Sequence, residues 1–393
     1  MDTLAPDSRP LRVLQVTEAA GGGVRRHLQR LAPELRRLHV ELDLLVGIGR
    51  AEPGLDADLA DYREQGCRTA VFRGSGTVGA LCGGIPALRR ALRDWRPDVV
   101  HLHATRAGLF GRLGRRARQL PALVYSPHAF VFQAHESPWL RWLVWRLERR
   151  LARVTDAFAC VSAAEREIAL TALAVEPDRI RVIENGLEAG FAEALLPRAA
   201  VRAAWGISPA DTLIGLCGRL VAQKDPATLL RGLALCRQRF PHLRLAVCGS
   251  GPLAASLHRL AGRLGLNEIM RWNGFVPDLP RRMSGFDLLV LPSRYEGLSY
   301  TLLEALAVGV PVLAADIPAN LPRPCLRGPI TLVQPGHPQA WAQALTATLE
   351  SLDSLQKQTR ALAPWVRQEF SASRQARALA ELYRHCAADR TPP

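Results

Sequence analysis

Residues 287–316 read DLLVLPSRYEGLSYTLLEALAVGVPVLAAD, and this stretch indicates the fold of the chain. An apolar run ends at Pro292, a polar loop follows, and a short helical pattern leads into a second apolar run. Near-continuous apolar runs are typical of parallel strands that are buried on both faces. A strand, a helix and a second strand in this order form the repeating unit of a doubly wound α/β sheet.

The same alternation of strands and helices continues along the chain. It breaks at residues 184–211, where an Asn-Gly turn signal precedes a short helical patch, and then restarts. A chain of 393 residues is long enough for two domains. We therefore predict Rossmann-like domains at residues 1–195 and 196–365, and a C-terminal segment at 366–393, with the helix of the tail interrupted around Pro364. Strands are predicted at residues 11–17, 40–46, 98–104, 122–128, 157–162, 179–185, 212–218, 243–249, 268–274, 287–293 and 310–315.

The composition narrows the class of protein. A net charge of +15 indicates an anionic partner, such as nucleic acid, an anionic membrane surface or a phosphorylated substrate. Aromatic residues make up only 6% of the chain, too few for the basic stripe with interleaved aromatics of a nucleic-acid-binding protein. No run approaches the roughly eighteen apolar residues of a membrane-spanning helix. Eight cysteines lie scattered without a CxxC pair, so we interpret them as reduced core residues of a cytoplasmic protein.

Two cations follow a predicted strand in GLCGRLVAQKDP, residues 215–226. Arg219 can fork two phosphate oxygens and Lys224 adds a point charge, which suits a diphosphate at the carboxyl end of a parallel strand. The alternative is a pair of solvated surface cations, but Lys224 is one of only two lysines in the chain. LAVCGSGPL, residues 245–253, again runs a strand into a glycine-rich turn, and this repetition favours a nucleotide site.

Two glutamates flank the start of the helix in residues 287–316. The helix is predicted to begin near Ser299, a good N-cap, and to end at Gly309. Glu296 then lies in the loop before the helix, whereas Glu304 shares a helix face with Thr301. Carboxylates accept hydrogen bonds from sugar hydroxyls, and the free N–H groups of a helix start suit phosphate. A glutamate that only favours the helix dipole would leave Glu296 unexplained.

The N-terminal half holds a second group of candidates. The glycines at residues 21–23 lie between a strand and a helix, where the backbone can approach an anion, although a simple tight turn is the alternative. They do not form GxGxxG, so no NAD fingerprint is expected. His101 and His103 share one side of a strand, and His128 follows the next strand. Structural histidines are the alternative, and the lack of HxxH or HExxH spacing predicts no metal.

PWLRWLVWRLERRLARV, residues 138–154, combines tryptophans with arginines. A basic amphipathic helix of this kind can lie on an anionic membrane, and the alternative is an ordinary helix with a broad core face and an arginine-rich outer face. The DxD of Asp56 and Asp58 follows no strand directly, and we interpret it as chance.

Together these motifs resemble the GT-B-fold retaining glycosyltransferases of family 4, the group 1 glycosyltransferases. The C-terminal half matches through GLCGRLVAQKDP, LAVCGSGPL, WNGFVPD and the Glu-x7-Glu of Glu296 and Glu304. The N-terminal half matches more loosely, and HLHATRAGLFGR with SPHAF is similar to bacterial enzymes that build surface polysaccharides on a lipid carrier. The resemblance implies an acceptor-binding and a nucleotide-sugar-binding Rossmann-like domain facing a central cleft, with a C-terminal helix that packs on the N-terminal domain.

The resemblance implies transfer of a sugar, with retention, from a nucleotide-diphosphate sugar, expected to be a UDP-sugar, to a lipid-linked or saccharide acceptor. It implies no metal and no cofactor, and a cytoplasmic enzyme at the inner face of the plasma membrane. The resemblance assigns catalytic roles to Glu296, His128, Arg219 and Lys224. It assigns donor binding to Arg219, Lys224, Gly249, Phe275, Val276, Glu296, Ser299, Tyr300, Thr301 and Glu304. It places Gly21, Gly22, Gly23 and His103 near the acceptor and phosphate.

Two departures from the family pattern concern the donor pocket. ENGLE carries Glu188 where an aspartate is usual, and IPANLPRPCLRGPI replaces the familiar glycine-rich turn after Asp316. The alternatives are a GT-B-fold sugar-nucleotide epimerase, which would need a different carboxylate set, and a non-catalytic sugar-nucleotide-binding protein, which the intact cations and glutamates disfavour.

Overall fold

The computed structural model describes residues 9–18, 20–49, 51–74, 76–114, 121–134 and 137–389. The chain divides into two units. Unit 1 consists of Met1–Gly186 and Ala372–Pro393, and unit 2 of Leu187–Ser371. The structure therefore divides the chain after Gly186 and after Ser371, whereas the sequence prediction placed these boundaries after residues 195 and 365. Each unit contains one parallel sheet, as expected for an α/β protein with near-continuous apolar strands.

Unit 1 has a seven-stranded sheet of order β3-β2-β1-β4-β5-β6-β7. Its elements are β1 (Leu11–Thr17), α1 (Gly22–Arg37), β2 (Val40–Gly47), α2 (Leu55–Glu64), β3 (Thr69–Phe72), α3 (Gly76–Trp95), β4 (Val99–His103), α4 (Ala104–Leu113), β5 (Ala122–Ser126), α5 (Pro138–Ala152), β6 (Ala157–Cys160), α6 (Ala163–Thr171) and β7 (Ile180–Val182). Apolar side chains of α1 and α2 cover one face of the sheet, and those of α3, α4 and α6 cover the other.

Unit 2 has a six-stranded sheet of order β10-β9-β8-β11-β12-β13. Its elements are α7 (Arg198–Ala204), β8 (Thr212–Cys217), α8 (Pro226–Cys236), β9 (Leu243–Cys248), α9 (Ala254–Arg263), β10 (Met270–Gly274), β11 (Leu288–Leu291), α10 (Tyr300–Ala307), β12 (Val312–Ala315), β13 (Ile330–Val333), α11 (Pro338–Glu350) and α12 (Leu352–Glu369). Apolar side chains from α8, α9 and α11 form a core on one face of this sheet.

The strand order reverses at one place in each sheet. In unit 1 the reversal lies between β1 and β4, and in unit 2 it lies between β8 and β11. In open α/β sheets, ligands bind beyond the carboxyl ends of the strands at this switch point. The loops that follow β1, β4, β8 and β11 are therefore where a site is expected.

The C-terminal end of the chain belongs to unit 1. Its helix α13 (Ala372–Ala388) packs Ala376, Leu379 and Tyr383 into the same core as α1. The predicted interruption around Pro364 is wrong, because α12 contains Pro364 and continues to Glu369. The break comes at Phe370 and Ser371, where the chain passes from unit 2 to unit 1.

Five of the eight cysteines are buried, as the prediction of core residues required, but Cys82 and Cys325 are exposed. All eight are free thiols. Among the described residues, we find no helix with the length and apolar character needed to cross a bilayer.

Candidate active site

An ion pair joins the two sequence motifs of unit 2. Lys224 ends a short helical turn after β8, and its Nζ lies 2.5 Å from Oε1 of Glu296 in the loop after β11. Gln223 joins the same two loops through two hydrogen bonds. Its side-chain Nε2 donates to the backbone carbonyl of Tyr295 at 3.0 Å, and its backbone carbonyl accepts from Arg294 N at 2.8 Å. The switch point of unit 2 therefore carries a lysine and a glutamate in contact.

Glycines bring the loops after β8 and β9 into backbone contact. A Cβ at Gly249 would lie 1.8 Å from the carbonyl oxygen of Gly218, and a Cβ at Gly251 would lie 2.5 Å from that of Leu220. Gly218 also has φ of +135°, which disfavours any other residue. Leu220 N donates to Ser250 O at 2.9 Å across the two loops. The first loop presents an exposed Arg219 beside Lys224.

The helix after β11 begins where the sequence predicted. Ser299 is the N-cap of α10, but its side-chain oxygen accepts no hydrogen bond from the first-turn N–H groups. Glu304 is fully buried within α10, Tyr300 is buried, and Thr301 is partly exposed. Helix α10 thus begins directly after the loop whose Glu296 contacts Lys224, and Glu304 lies in the interior of that helix.

Other residues lie at the same edge of the unit 2 sheet. Phe275 and Val276 follow β10 directly and are partly exposed. The sequence interpretation missed Ser293, which lines one pocket with Arg219 and Lys224. Its hydroxyl is buried and has no hydrogen-bond partner among the residues described. The signal was present, because Ser293 follows Pro292 at the end of β11 in the stretch that indicated the fold.

The glycine loop of unit 1 is occupied by a carboxylate of the chain itself. Gly22 begins α1 with φ of +61°, and its N–H donates to Oε2 of Glu52 at 2.9 Å. A Cβ at Gly21 would lie 2.6 Å from Cδ of Glu52. A phosphate bound at this helix start would have to displace or share the position of Glu52, which the sequence interpretation did not include.

Histidines cluster at the switch point of unit 1. His103 Nδ1 lies 3.0 Å from His128 Nε2, and His103 Nε2 lies 2.6 Å from Gln15 Oε1. The His27 ring, absent from the sequence interpretation, is centred 5.2 Å from the His103 ring and 5.0 Å from the His128 ring. His103 is fully buried, whereas His128 is partly exposed. Burial lowers the pKa of His103 and His128 well below the ordinary value.

The turn that carries His128 is held by Glu165. His128 and Ala129 both have positive φ, at 51° and 92°. Oε1 of Glu165 accepts from Ala129 N at 2.5 Å, and Oε2 accepts from Val161 N at 2.9 Å. Burial raises the pKa of Glu165 to about 7. This carboxyl on α6 therefore stabilises a backbone conformation that non-glycine residues rarely adopt.

Two groups of side chains in unit 1 bear on metal binding, the histidine cluster and the DxD. The ligand nitrogens of His27, His103 and His128 lie within 4.8 Å of one another, a spacing that could hold an ion. The prediction of no metal stays a prediction. Asp58, part of the DxD that was interpreted as chance, forms an ion pair with Arg25.

The buried histidines predict that unit 1 loses stability in acid. Burial lowers the pKa of His27 to about 4 in the folded chain, against about 6.5 when unfolded. Between these values the unfolded chain binds the proton and the folded chain does not, so the free energy of unfolding falls as pH falls from 6.5 to 4. His27 alone contributes a loss of about 3 kcal/mol. Urea unfolding at pH 7.5, 5.5 and 4.5 measures this dependence.

Two comparisons isolate the histidine contribution. Glu165 acts in the opposite direction between pH 4.5 and 7, because its folded-state pKa is raised and protonation favours the folded chain. His27→Gln should reduce the loss in acid, and the exposed His385→Gln should leave it unchanged. An equal pH dependence in His27→Gln and the parent chain would contradict the assignment.

Comparisons with known proteins agree with this arrangement of two units. Residues 22–186 match the family described as "Glycosyl transferase 4-like domain", and residues 211–351 match "Glycosyl transferases group 1". A D-inositol 3-phosphate glycosyltransferase of Streptomyces scabiei is 30% identical over 334 residues, which cover 77% of this chain and 72% of that protein.

A second relative and one solved structure extend the comparison. The UDP-Gal:alpha-D-GlcNAc-diphosphoundecaprenol alpha-1,3-galactosyltransferase of Escherichia coli is 26% identical over 275 residues, covering 67% of this chain and 70% of that protein. The crystal structure of Anabaena Alr3699/HepE in complex with UDP-glucose superposes with a TM-score of 0.78 at 20% identity, covering 95% of this chain and 100% of that one. The structural likeness concerns the fold.

Proposed function

The chain belongs to the group 1 glycosyltransferases of the GT-B fold, and we propose that it transfers a sugar from a UDP-sugar to a lipid-linked saccharide with retention of configuration. The observation that carries the proposal is the contact of Lys224 with Glu296 at the unit 2 switch point. The lipid-linked acceptor is supported by the name of the Escherichia coli relative. The UDP-sugar donor is supported by that name and by the HepE complex.

In this proposal, different residues of unit 2 bind the diphosphate, the ribose, the sugar and the base of the donor. Arg219 and Lys224 bind the diphosphate, because an exposed guanidinium and an ammonium beside a glycine-rich backbone suit two phosphate groups. Glu304 accepts hydrogen bonds from the ribose hydroxyls, and Glu296 contacts the sugar at the reacting carbon. Phe275 and Val276 hold the base through backbone groups.

The chemical step needs charge stabilisation more than a nucleophile. The bond between the anomeric carbon and the phosphate oxygen breaks, the acceptor oxygen bonds to that carbon on the same face, and the leaving phosphate takes the acceptor proton. Negative charge then grows on the diphosphate, where Arg219, Lys224 and the N–H groups of α10 stabilise it. The proposal assigns this role to side chains and backbone and requires no cofactor.

The test is UDP release measured with a panel of UDP-sugars, with and without a polyprenyl-diphosphate-linked N-acetylglucosamine acceptor. We expect release to depend on the acceptor, and the product to keep the anomeric configuration of the donor by NMR. Conversion of one UDP-sugar into another without acceptor would identify an epimerase. Binding without turnover for every donor and acceptor would favour a sugar-nucleotide-binding protein, and the absence of binding would refute the donor site.

Helix α5 supports a location at a membrane surface, which we include in the proposal. Its exposed apolar side chains include Trp139, at 68% exposure, and Trp142, at 41%. Trp139 and Trp142 stack with ring centroids 5.1 Å apart, and Arg146 lies over the Trp142 ring at 5.3 Å. An ordinary core helix would bury these rings. Tryptophans exposed beside arginines match the composition of helices that lie in an anionic interface.

We predict that the chain binds vesicles of phosphatidylglycerol and phosphatidylcholine in a sedimentation assay, and binds pure phosphatidylcholine poorly. Trp139→Ala with Trp142→Ala should weaken binding at least about tenfold, since each ring contributes apolar burial. Leu235→Ala removes an exposed apolar residue of unit 2 and should change nothing. Self-association through α5 without vesicles, or equal binding of both vesicles, would contradict the membrane role.

A further inference from the structure

A continuous chain of hydrogen bonds, here called the polar chain, crosses unit 1 from His128 to a backbone carbonyl. Its contacts are His128 Nε2 to His103 Nδ1 at 3.0 Å, His103 Nε2 to Gln15 Oε1 at 2.6 Å, Gln15 Nε2 to Tyr383 Oη at 3.1 Å, Tyr383 Oη to His101 Nδ1 at 2.6 Å, His101 Nε2 to Ser126 Oγ at 2.9 Å and Ser126 Oγ to Ala159 O at 2.7 Å. It joins β1, β4, β5 and β6 to α13.

The direction of the polar chain is determined at its Ala159 end. A carbonyl oxygen only accepts hydrogen bonds, so the single hydroxyl hydrogen of Ser126 is used there. Ser126 must then accept from an Nε2–H of His101. His101 is fully buried, and burial lowers its pKa well below the ordinary value, so its ring is neutral with one N–H. Its Nδ1 therefore accepts from the hydroxyl of Tyr383.

The same reasoning continues to the other end. The hydroxyl of Tyr383 donates to His101, so it accepts from the amide N–H of Gln15. The amide oxygen of Gln15 then accepts from His103 Nε2–H, and burial keeps His103 neutral too. His103 Nδ1 is left as an acceptor, and only an Nε2–H of His128 can donate to it. All hydrogen bonds of the polar chain are therefore consistent with one donor-to-acceptor direction, from His128 to Ala159.

We infer that Tyr383, Gln15 and Ser126 are positioning residues, which fix His128 as its Nε2–H tautomer and so make its Nδ1 an acceptor for a hydroxyl of the sugar substrate. The identity of that hydroxyl rests on the proposed function, whereas the tautomer does not. His128 is partly exposed, and its Nδ1 makes no hydrogen bond within the described part of the chain. The C-terminal helix α13 thereby contributes to a site whose other members lie in the first 160 residues.

The polar chain argues against an ion among His27, His103 and His128. In this arrangement His103 offers no lone pair to an ion, because its Nε2 carries a hydrogen that goes to Gln15 and its Nδ1 accepts from His128. The positive charge of Arg30 also lowers the pKa of His27, and the same charge would oppose a cation. Hydrogen bonding to a hydroxyl is therefore the role that we assign to this cluster.

The test is a long-range proton–nitrogen NMR spectrum of the full chain labelled with ¹⁵N at the histidine rings, with signals assigned by single histidine variants. At pH 7.5 we expect His101, His103 and His128 as neutral Nε2–H tautomers. In Tyr383→Phe and in Gln15→Met, His128 should become a mixture of tautomers, while His101 keeps its Nε2–H through Ser126. Tyr62→Phe is the matched control, since its buried hydroxyl has no hydrogen-bond partner among the described residues.

Kinetics give the second measurement. Tyr383→Phe and Gln15→Met should each lower kcat about tenfold, the effect of one misplaced hydrogen bond, with the KM for the UDP-sugar changed less than about twofold. Tyr62→Phe should match the parent chain. An Nδ1–H tautomer of His128 in the parent chain, unchanged tautomers in both variants, or joint shifts of His27, His103 and His128 on adding Zn²⁺ would each overturn the inference. If transfer itself is absent, the spectra alone decide the tautomer.

Discussion

Lys224→Met is expected to lower kcat for sugar transfer by about 10²- to 10³-fold, the usual cost of removing one group that stabilises developing charge in a transition state. Charge grows on the diphosphate only as the sugar leaves, so the effect should fall mainly on kcat. The variant also leaves Glu296 without the ammonium that lies 2.5 Å away, and this carboxylate would then repel the phosphates. Steady-state kinetics with the donor identified by the UDP-release assay measure both effects.

The controls use the chain's own residues. Lys357→Met removes the other lysine, which is exposed on α12, and should leave kcat and KM unchanged. Lys224→Arg keeps the charge and should recover part of the rate. Lys224→Met combined with Glu296→Gln should lose less than the sum of the two single changes, because the pair acts as one unit. A Lys224→Met chain with normal kcat would show that the diphosphate binds elsewhere.

The central strands of both sheets could be predicted from the sequence, and two edge strands could not. Residues 11–17, 212–218 and 243–249 are apolar because both faces of these strands are covered. β3 (Thr69–Phe72) and β13 (Ile330–Val333) lie at the edges of their sheets and are short and partly exposed. TAVF and ITLV are short apolar runs, and a run of this length cannot be distinguished from a loop by its pattern.

The arrangement of the unit 2 loops was more predictable than that of the histidine cluster. Arg219 and Lys224 follow β8 within a few residues and Glu296 follows β11, so the neighbouring strands bring these loops to one edge of the sheet without further information. Tyr383 is 368 residues from Gln15, and no local pattern links the two side chains. The hydroxyl of Tyr383 reaches His101 because α13 returns to unit 1.

Local rules also failed where distant contacts decided the outcome. The glycine loop was interpreted by itself, but Glu52 reaches it from 30 residues away. Pro364 was expected to interrupt a helix, yet α12 continues through it to Glu369. The tryptophans of α5 could not be assigned to a core or a surface by periodicity alone, because both readings contain an apolar face.

The arrangement of α5 depends on a buried ion pair. Nη2 of Arg112 donates to both carboxylate oxygens of Glu148, at 3.0 and 2.8 Å, and its Nε donates to Gly108 O at 2.7 Å. The guanidinium also lies 4.0 Å from the centre of the Tyr125 ring. The side chains are 0% and 5% exposed, so neither charge is solvated by water to any extent. The contacts of Arg112 therefore link α4, β5 and α5.

Glu148→Gln should lower the free energy of unfolding of unit 1 by about 3–5 kcal/mol, because it leaves the buried guanidinium without a counter-charge. Arg112→Met should cost a similar amount through the stranded carboxylate. The double variant Arg112→Met with Glu148→Leu should recover most of the loss, since it buries apolar atoms in place of both charges. Arg93→Gln breaks an exposed pair with Asp94 and should change stability by less than about 1 kcal/mol. Urea unfolding measures all four variants, and a double variant as unstable as the single ones would show that packing, rather than charge pairing, holds α5 in place.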